Sequence, residues 1–379
     1  MSRRTFKFRL CPTRKQAERL TWTLERCREL YNAALQERRD AYRMAGKSLN
    51  YYDQANQLPA VKVARSEYSE IYSQVLQDVL RRVDKTFQAF FRRVKAGEKA
   101  GYPRYKGTGW YDSFTFPQLG WSLQNDRLTL SKIGTVKVRL HRAMQGKVKT
   151  VSIKREGEHW YVCFSVEVVD ADATLPHSDK SVGIDLGLST FATLSDGQRI
   201  ENPRCLRKSL HILATVQQTL SRRKRGKGGS HRRAKAKKAV AQIHRRIRNQ
   251  RADFLHKQSR RLVDEYGTIV FERLQPRNMV RNHSLALSIS DAGWGQFVQY
   301  CSFKAESAGR SVVFVDPRYT SQTCSGCGTI QRKELSERWH SCPCGCELDR
   351  DHNAAINILN IWLGTSQQVV QVACKSPRL

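Results

Sequence analysis

Ser181-Val182-Gly183-Ile184-Asp185-Leu186-Gly187 is the stretch that decides the fold class of this chain. It is a short apolar run of the kind a strand buried on both faces requires, and it ends in an acid and a glycine. Thr268-Ile269-Val270-Phe271-Glu272-Arg273-Leu274 repeats the pattern, an apolar strand that also ends in an acid. Thr190-Phe191-Ala192-Thr193-Leu194, followed by Asp196-Gly197, reads as a hairpin after the first strand. A helix over roughly 291–309 leads into a further strand, Ser311-Val312-Val313-Phe314-Val315. Strands alternating with helices place this half of the chain in the α/β class.

A third acid lies further on. Asp349-Arg350-Asp351-His352-Asn353-Ala354-Ala355-Ile356-Asn357-Ile358-Leu359 reads as a helix with acids at its N-terminal end. Strands lying side by side present their ends at one edge, so Asp185 and Glu272 can converge there and Asp351 can join them from the helix. Three carboxylates bind hard divalent cations through oxygen, and Mg²⁺ suits them. Two such ions about 3.5–4 Å apart activate water and stabilise the leaving oxygen in phosphodiester hydrolysis. Any one of these acids alone is better explained as a turn residue or a helix cap. The three together, in a very basic chain, favour a metal-dependent nuclease.

The basic balance points to a polyanionic partner. Lys plus Arg number 67 against 34 Asp plus Glu, a net charge of +33. Folding does not need that excess, whose self-repulsion is a cost, and nucleic acid is its usual reason. A basic helical stretch covers about 204–265, interrupted at Gly226-Lys227-Gly228-Gly229-Ser230, and reads as a helical hairpin with a flexible tip. From Arg222 to Arg251 it carries many Lys and Arg and no Asp or Glu, whereas a merely solvated face mixes signs. Arg222, Arg223, Lys224, Arg225, Arg232, Arg233, Arg245 and Arg246 are therefore expected at a nucleic-acid backbone. No apolar run approaches the roughly 18 residues that cross a bilayer. The N-terminus alternates basic and apolar residues where a signal peptide would be continuously apolar. The expectation is a cytoplasmic protein with no membrane partner.

Of 11 cysteines, Cys324, Cys327, Cys342, Cys344 and Cys346 crowd together and the rest are scattered. An odd count without a signal peptide argues against a disulfide framework and for a metal. Cys324-Ser325-Gly326-Cys327 is a knuckle of the usual spacing, and Cys342-Pro343-Cys344 is a shorter one. Four thiolates hold Zn²⁺ tetrahedrally in a closed structural site. The chosen set is Cys324, Cys327, Cys342 and Cys344, with Cys346 able to replace Cys344.

The N-terminal part reads as a strand over 5–10, then two long helices. The first opens at Thr13, which forms a capping box with Gln16, and carries the stripe Ala17, Leu20, Leu24, Cys27, Tyr31, Ala34. The second covers roughly 68–96 with the stripe Tyr72, Leu76, Leu80, Val83, Phe87, Phe90, Phe91, Val94. Both stripes read as core of a helical lobe. A Gly/Lys/Pro connector follows, and then strands over 127–130, 136–140, 148–154 and 159–166 that form a small barrel or sheet, which strand 5–10 can complete.

Gly183-Ile184-Asp185-Leu186-Gly187, Phe271-Glu272-Arg273-Leu274, Leu287-Ser288-Ile289-Ser290-Asp291-Ala292-Gly293-Trp294, Tyr319-Thr320-Ser321-Gln322-Thr323-Cys324-Ser325-Gly326-Cys327-Gly328 and the helix from Asp349 to Ile358 together resemble the TnpB family. These are transposon-encoded RNA-guided nucleases similar to the ancestors of type V CRISPR effectors. The resemblance covers nearly the whole chain, including the connector Gly101-Tyr102-Pro103-Arg104-Tyr105-Lys106. It implies an α/β multidomain protein: a split RNase H-like RuvC nuclease domain (179–319 and 348–364), an inserted zinc ribbon (320–347), a β-barrel wedge domain (1–10 and 101–178), a helical recognition lobe (11–100) and a C-terminal tail (365–379). Asp185, Glu272 and Asp351 become the catalytic Mg²⁺ ligands, and Zn²⁺ is structural. The partners implied are a guide RNA from the transposon end and double-stranded target DNA, cut beside a short motif that the protein reads itself. Tyr51, Gln77 and Thr115 sit where family members contact that motif. The competing expectation is a catalytically silent RNA-guided DNA-binding regulator or a transposition accessory protein. Loss of an acid would signal it, and all three acids are present.

Overall fold

The structure is a computed structural model that describes residues 2–168, 175–176, 178–223, 230–334 and 337–373. The chain divides into two units, Met1–Asp170 and Ala171–Leu379. No helix among the described residues is long and apolar enough to cross a membrane.

The first unit opens with strand β1 (Ser2–Cys11) and helix α1 (Arg14–Ala45). Thr13 caps α1 through the expected box with Gln16, and Leu20, Leu24, Cys27, Tyr31 and Ala34 are buried. Short helices α2 (Tyr51–Ala55) and α3 (Leu58–Ala64) follow, in a stretch whose weak periodicity carries no helical expectation. The second long helix, α4 (Ser73–Lys95), starts later than the stripe suggests. Residues 66–70 form a 3₁₀ turn, and Tyr72 is the N-cap with extended backbone. Its stripe is core only as far as Phe87; Phe91 and Val94, 59% and 50% exposed, lie beyond the packed part of the helix. Buried Arg38 ties α1 to α2 and α4, donating to Gln54 at 2.8 Å and pairing with Asp84 at 3.0 Å.

Strands β2 (Ser113–Phe116), β3 (Trp121–Gln124), β4 (Arg127–Leu130), β5 (Gly134–Arg139), β6 (Lys147–Glu156) and β7 (His159–Val168) complete this unit. They join β1 in one antiparallel sheet of order β2-β6-β7-β1-β5-β4-β3. The N-terminal strand is thus central, hydrogen-bonded to β7 on one side and β5 on the other. β2 and β3, each four residues long, are strands that the sequence reading does not separate from the turns around them.

The second unit holds β8 (Ser181–Asp185), β9 (Thr190–Leu194), β10 (Arg199–Glu201), α5 (Leu210–Ser221), α6 (His231–Glu265), β11 (Thr268–Glu272), α7 (Pro276–Met279), α8 (His283–Ala292), α9 (Trp294–Ala308), β12 (Ser311–Val315), β13 (Trp339–Ser341), β14 (Glu347–Asp349) and α10 (Arg350–Ala373). The main sheet has order β10-β9-β8-β11-β12. β8, β11 and β12 run parallel, and β9 and β10 are antiparallel additions. One face carries Val182, Ile184, Ile269 and Phe271 against Leu255, Leu262 and Val263 of α6 and Phe297, Cys301 and Ala305 of α9. On the other face Val270 and Val315 meet Ile358 of α10. Coverage on both faces explains why these strands are apolar throughout.

Three expectations change. The helix foreseen over 291–309 starts instead at Trp294 as α9, because Gly293, whose φ of 71° is a left-handed conformation, ends a separate helix, α8. The basic hairpin's first helix begins only at Leu210. The chain expected to loosen near Gly364 continues as helical backbone to Ala373.

Gly183 decides how α10 seats. A Cβ there would lie 2.2 Å from the Ala355 carbonyl oxygen and 2.7 Å from the Leu359 nitrogen, so helix backbone rests directly on strand backbone. Gly183→Ala is expected to destabilise the fold by the roughly 1–3 kcal/mol of a typical overpacking or more, and so to lower the thermal unfolding midpoint, because backbone cannot swing aside. Gly295→Ala, in α9 with nothing within 4 Å, serves as the contrast. It should be neutral or stabilising by up to about 1 kcal/mol. Both are read by calorimetry or circular dichroism melts.

Candidate active site and cysteine cluster

The parallel pairing of β8 with β11 sets Phe271 opposite Ile184. Asp185 and Glu272 are the next residues along each strand. Side chains alternate across a strand, so while Ile184 and Phe271 enter the core beside α9, both acids turn to the face that α10 covers. Asp351 stands in the first turn of α10, one helical turn before the Ala355 carbonyl that rests on Gly183. Its Oδ2 lies 3.8 Å from where a side chain on Gly187 would begin, just past Asp185. Three acids from distant parts of the sequence thus collect at the C-terminal end of β8.

Asp349, not Asp351, caps the helix. Its Oδ1 accepts from the backbone N–H of Asp351 at 3.0 Å and of His352 at 3.3 Å. Asp351 therefore keeps its carboxylate for the site. His352 Nε2 lies 3.2 Å from the Ser195 carbonyl and ties the helix start to the turn after β9.

All three carboxyls are harder to ionise than usual. Burial, then the charges of Glu272 and Asp351, push Asp185 up to about 8, with Arg350 opposing. Burial raises Glu272, offset by the hydrogen bond its Oε1 accepts from the buried Thr320 hydroxyl. Burial and neighbouring Asp349 raise Asp351 against Arg338, Arg350 and Arg199. An oxygen-only donor set whose members repel one another is the environment a divalent cation relieves. Among the described residues, only cysteine-containing groups bring three or more metal-ligating atoms within 4.8 Å of one another, so the carboxylates are spread more widely than the thiols.

The thiol group is Cys324, Cys327, Cys342 and Cys344. Cys324 and Cys344 sulfurs lie 3.6 Å apart, as do those of Cys327 and Cys342. Tetrahedral Zn–S bonds of about 2.3 Å put sulfurs about 3.8 Å apart, so the spacing fits zinc. Hydrogen bonding with the Thr329 side chain and backbone lowers the Cys327 thiol to about 6. Cys346 falls in a different group, with Cys324 and His340, and its sulfur lies 3.8 Å from the Ser325 hydroxyl.

Two buried asparagines of α10 stitch the first knuckle to the helix that carries Asp351. Asn353 accepts from the Ser325 N–H at 2.9 Å and donates to the Thr323 carbonyl at 2.8 Å. Asn357 donates to the carbonyls of Thr320 at 2.9 Å and Thr323 at 2.7 Å. Thr320, Asp349, Asn353 and Asn357 have no role in the sequence reading. The available signal was two asparagines at i and i+4 inside a helix, where their propensity is poor.

The basic residues divide. Arg222, Arg223, Arg232 and Arg246 are exposed and Arg245 is half-buried. Arg233 is spent internally, donating to the carbonyls of Leu220 at 3.0 Å and Arg223 at 2.8 Å at the end of α5. Lys224 and Arg225 lie outside the described residues. Arg251 fixes α6 to α8 through Asp291 at 2.9 Å, and Asp291 also accepts from the Leu206 N–H. In the first unit, Tyr51 stacks beneath Arg81, 5.0 Å from guanidinium to ring, and Gln77 is the i−4 neighbour of Arg81 on α4. Thr115 instead engages Arg82 at 2.6 Å and Ser152 at 2.8 Å.

Comparison with known proteins covers most of the chain. Residues 162–283 match a family model described as "Probable transposase", and residues 294–358 match a Cas12f1-like TNB domain. Residues 1–47 match a model described as a helix-turn-helix domain, although here they form one strand and one long helix. A Streptomyces pristinaespiralis protein whose name proposes an RNA-guided DNA endonuclease is 35% identical over 96% of this chain and 90% of its own length. A similarly named Escherichia coli (strain K12) protein is 31% identical over 93% of this chain and 91% of its own. The CRISPR-associated endodeoxyribonuclease Cas12f1 of Sulfoacidibacillus thermotolerans is 31% identical over 52% of this chain and 49% of its own. Among solved structures, a Cas12f1–guide RNA–target DNA complex superimposes with a TM-score of 0.60 over 91% of this chain and 83% of the other, at 15% identity. Identity of 35% and 31% over nine-tenths or more of each chain makes this protein a member of the TnpB family.

Proposed function

We propose that this chain is an RNA-guided DNA endonuclease encoded by a transposable element, which cuts target DNA beside a short motif by metal-dependent phosphodiester hydrolysis. The observation that carries the reading is the gathering of Asp185, Glu272 and Asp351 beneath α10, where the other two acids help push Asp185 up to about 8. The names of the full-length relatives support the same activity.

Asp185, Glu272 and Asp351 are the residues that would hold two Mg²⁺ ions. When bound, such ions supply an activated water and a stabilised leaving oxygen. The chain's own contribution is positioning. Paired strands fix Asp185 and Glu272, Thr320 occupies one oxygen of Glu272, and Asp349 takes over the capping that would otherwise divert Asp351. The strand order, with parallel β8, β11 and β12 and an antiparallel β9-β10 extension, is consistent with an RNase H-like RuvC domain built from 179–319 and 348–364. The sheet of β1 to β7 fits the wedge role, and α1 to α4 the recognition lobe. Residues 320–347 fit a ribbon closed by Zn²⁺ on Cys324, Cys327, Cys342 and Cys344, which the asparagines of α10 hold beside the acids. Arg222, Arg223, Arg232, Arg245 and Arg246 meet the nucleic-acid backbone. Tyr51 and Gln77, which flank Arg81, read the motif, whereas the Thr115 hydroxyl is already engaged by Arg82 and Ser152.

Protein purified with its co-transcribed RNA should cut matched DNA in Mg²⁺, and Asp185→Ala should abolish cutting while leaving binding intact. A complex that binds but never cuts in any divalent metal would instead establish the silent regulator.

The raised Asp185 value means that the native state retains a proton which the unfolded chain releases near its ordinary carboxylate range. Between about pH 4 and about 8, the metal-free protein therefore loses stability as pH rises. Asp185→Asn removes that dependence, so its advantage in thermal midpoint over the parent should grow with pH across the window. Equal midpoints throughout would refute the buried charge.

Cys344→Ser should lose zinc by elemental analysis and melt earlier, and Cys346→Ser should keep one zinc per chain. The reverse pattern would make Cys346 the fourth ligand.

A further inference from the structure

A cavity of about 460 Å³ opens beside the hairpin tip that follows Asp185. Leu188 and Ser189 form its near wall, within three residues of Asp185 for Leu188, which chain geometry limits to about 11 Å. The segment 202–210 and helix α8 supply the other walls. Its volume lies in the usual range of ligand pockets, about 300–1,000 Å³.

The lining is of two kinds. Leu188, Leu206, Leu285 and Leu287 give an apolar surface, and Leu285 and Leu287 leave 43% and 51% of theirs exposed. Arg204 and Arg207 give charge. The Arg207 guanidinium has no hydrogen-bond or ion-pair partner among the described residues. Arg204 is held at φ 47°, a left-handed conformation costly for a side chain with a Cβ. The surroundings impose that strain. Asn202 accepts from the Arg204 N–H at 3.1 Å and donates to the Leu188 carbonyl at 2.9 Å. Asp291 receives the Leu206 N–H on both oxygens, at 3.0 and 2.9 Å, and is itself anchored by Arg251. The arm is thus held so that both arginines line the cavity with the leucines, and Arg204 Nη2 also donates to the Ser189 carbonyl at 3.5 Å.

We propose that this cavity is a nucleotide subsite for the DNA strand being cut, seating one unstacked base against Leu285 and Leu287 with the adjoining phosphate on Arg204 and Arg207. Leucine side chains cover a base's face by non-directional apolar contact that does not read its identity, and guanidinium groups take phosphate in bidentate fashion. Leu188 ties the cavity wall to Asp185 through three residues of chain, so the subsite is assigned to a nucleotide near the scissile phosphate. Arg204 and Arg207 bind the substrate strand itself and so act on cleavage through its placement. The inference rests on the proposed nuclease activity.

The test uses the full protein–RNA complex. Cut-strand substrates carry a single abasic site stepped through the cleavage region. One position, within two nucleotides of the cut, should slow cleavage about tenfold. In the double variant Leu285→Ala/Leu287→Ala the same abasic site should add nothing further. Arg204→Gly, which suits the backbone and so keeps the fold, should slow cleavage of every substrate, rescued in part by Arg204→Lys. A flat abasic scan, or penalties that multiply in the double variant, overturns the subsite. A second arm needs no cleavage: a single-stranded DNA with 5-iododeoxyuridine is photocrosslinked to the complex and mapped by mass spectrometry. Crosslinks within 202–210 or 284–291 support the subsite, and crosslinks wholly elsewhere refute it. Crosslinking there without any cleavage would sink the nuclease reading and reduce the cavity to a DNA-binding site, whereas cleavage without either signature would sink the subsite alone.

Discussion

The second unit depends on a missing methyl group. At Gly183 the backbone of α10 lies against the backbone of β8 with no room for a Cβ. A helix so close cannot slide or rotate without clashing, and its register against the strand is therefore set. That register places Asp351 one turn upstream, at the strand end where Asp185 and Glu272 emerge. A looser contact would leave the third acid free to move by a side chain's width, enough to spoil a site that needs fixed oxygens.

The same helix organises what surrounds it. Its buried face supplies Ile358 to the core, and its first two turns supply Asn353 and Asn357 to the cysteine loop. Those asparagines satisfy backbone groups that would otherwise be stranded inside the protein, where an unpaired polar group costs about 1–3 kcal/mol. Thr320, whose carbonyl is held by Asn357, holds Glu272 in turn through its hydroxyl. One helix thus links the core, the thiol cluster and two of the acids through contacts that can be followed atom by atom.

Electrostatics opposes this gathering. Burial raises all three carboxyls, and at Asp185 the charges of Glu272 and Asp351 add to the rise. The strain is local and sits where cation chemistry would relieve it, in keeping with the tendency of functional sites to carry perturbed groups. The very basic remainder of the chain does not neutralise it, since Arg350 and its neighbours only moderate the shift.

Much of this was legible in the sequence because it depends on local pattern. Doubly buried strands must be apolar, so Ser181–Asp185 and Thr268–Glu272 declare themselves with their terminal acids. Cysteine spacing declares the thiol cluster, and Thr13 with Gln16 declares where α1 begins. What escaped depends on partners distant in the chain. Whether Asp349 or Asp351 caps α10 turns on which carboxylate meets the first free N–H groups, and either spacing would serve. That Arg233 closes a helix end while Arg232 faces outward follows from the hairpin's packing, and the two are adjacent and identical in sequence. The central place of β1 in its sheet needs strands far along the chain to fold against it. Sequence alone determined which residues are acids and thiols and most of the core, since those follow from side-chain chemistry and period, while the exposed end of the α4 stripe at Phe91 and Val94 did not. Only tertiary structure decided which of them meet, because that is set by close approaches such as the one at Gly183, where the decisive feature is an atom the sequence leaves out.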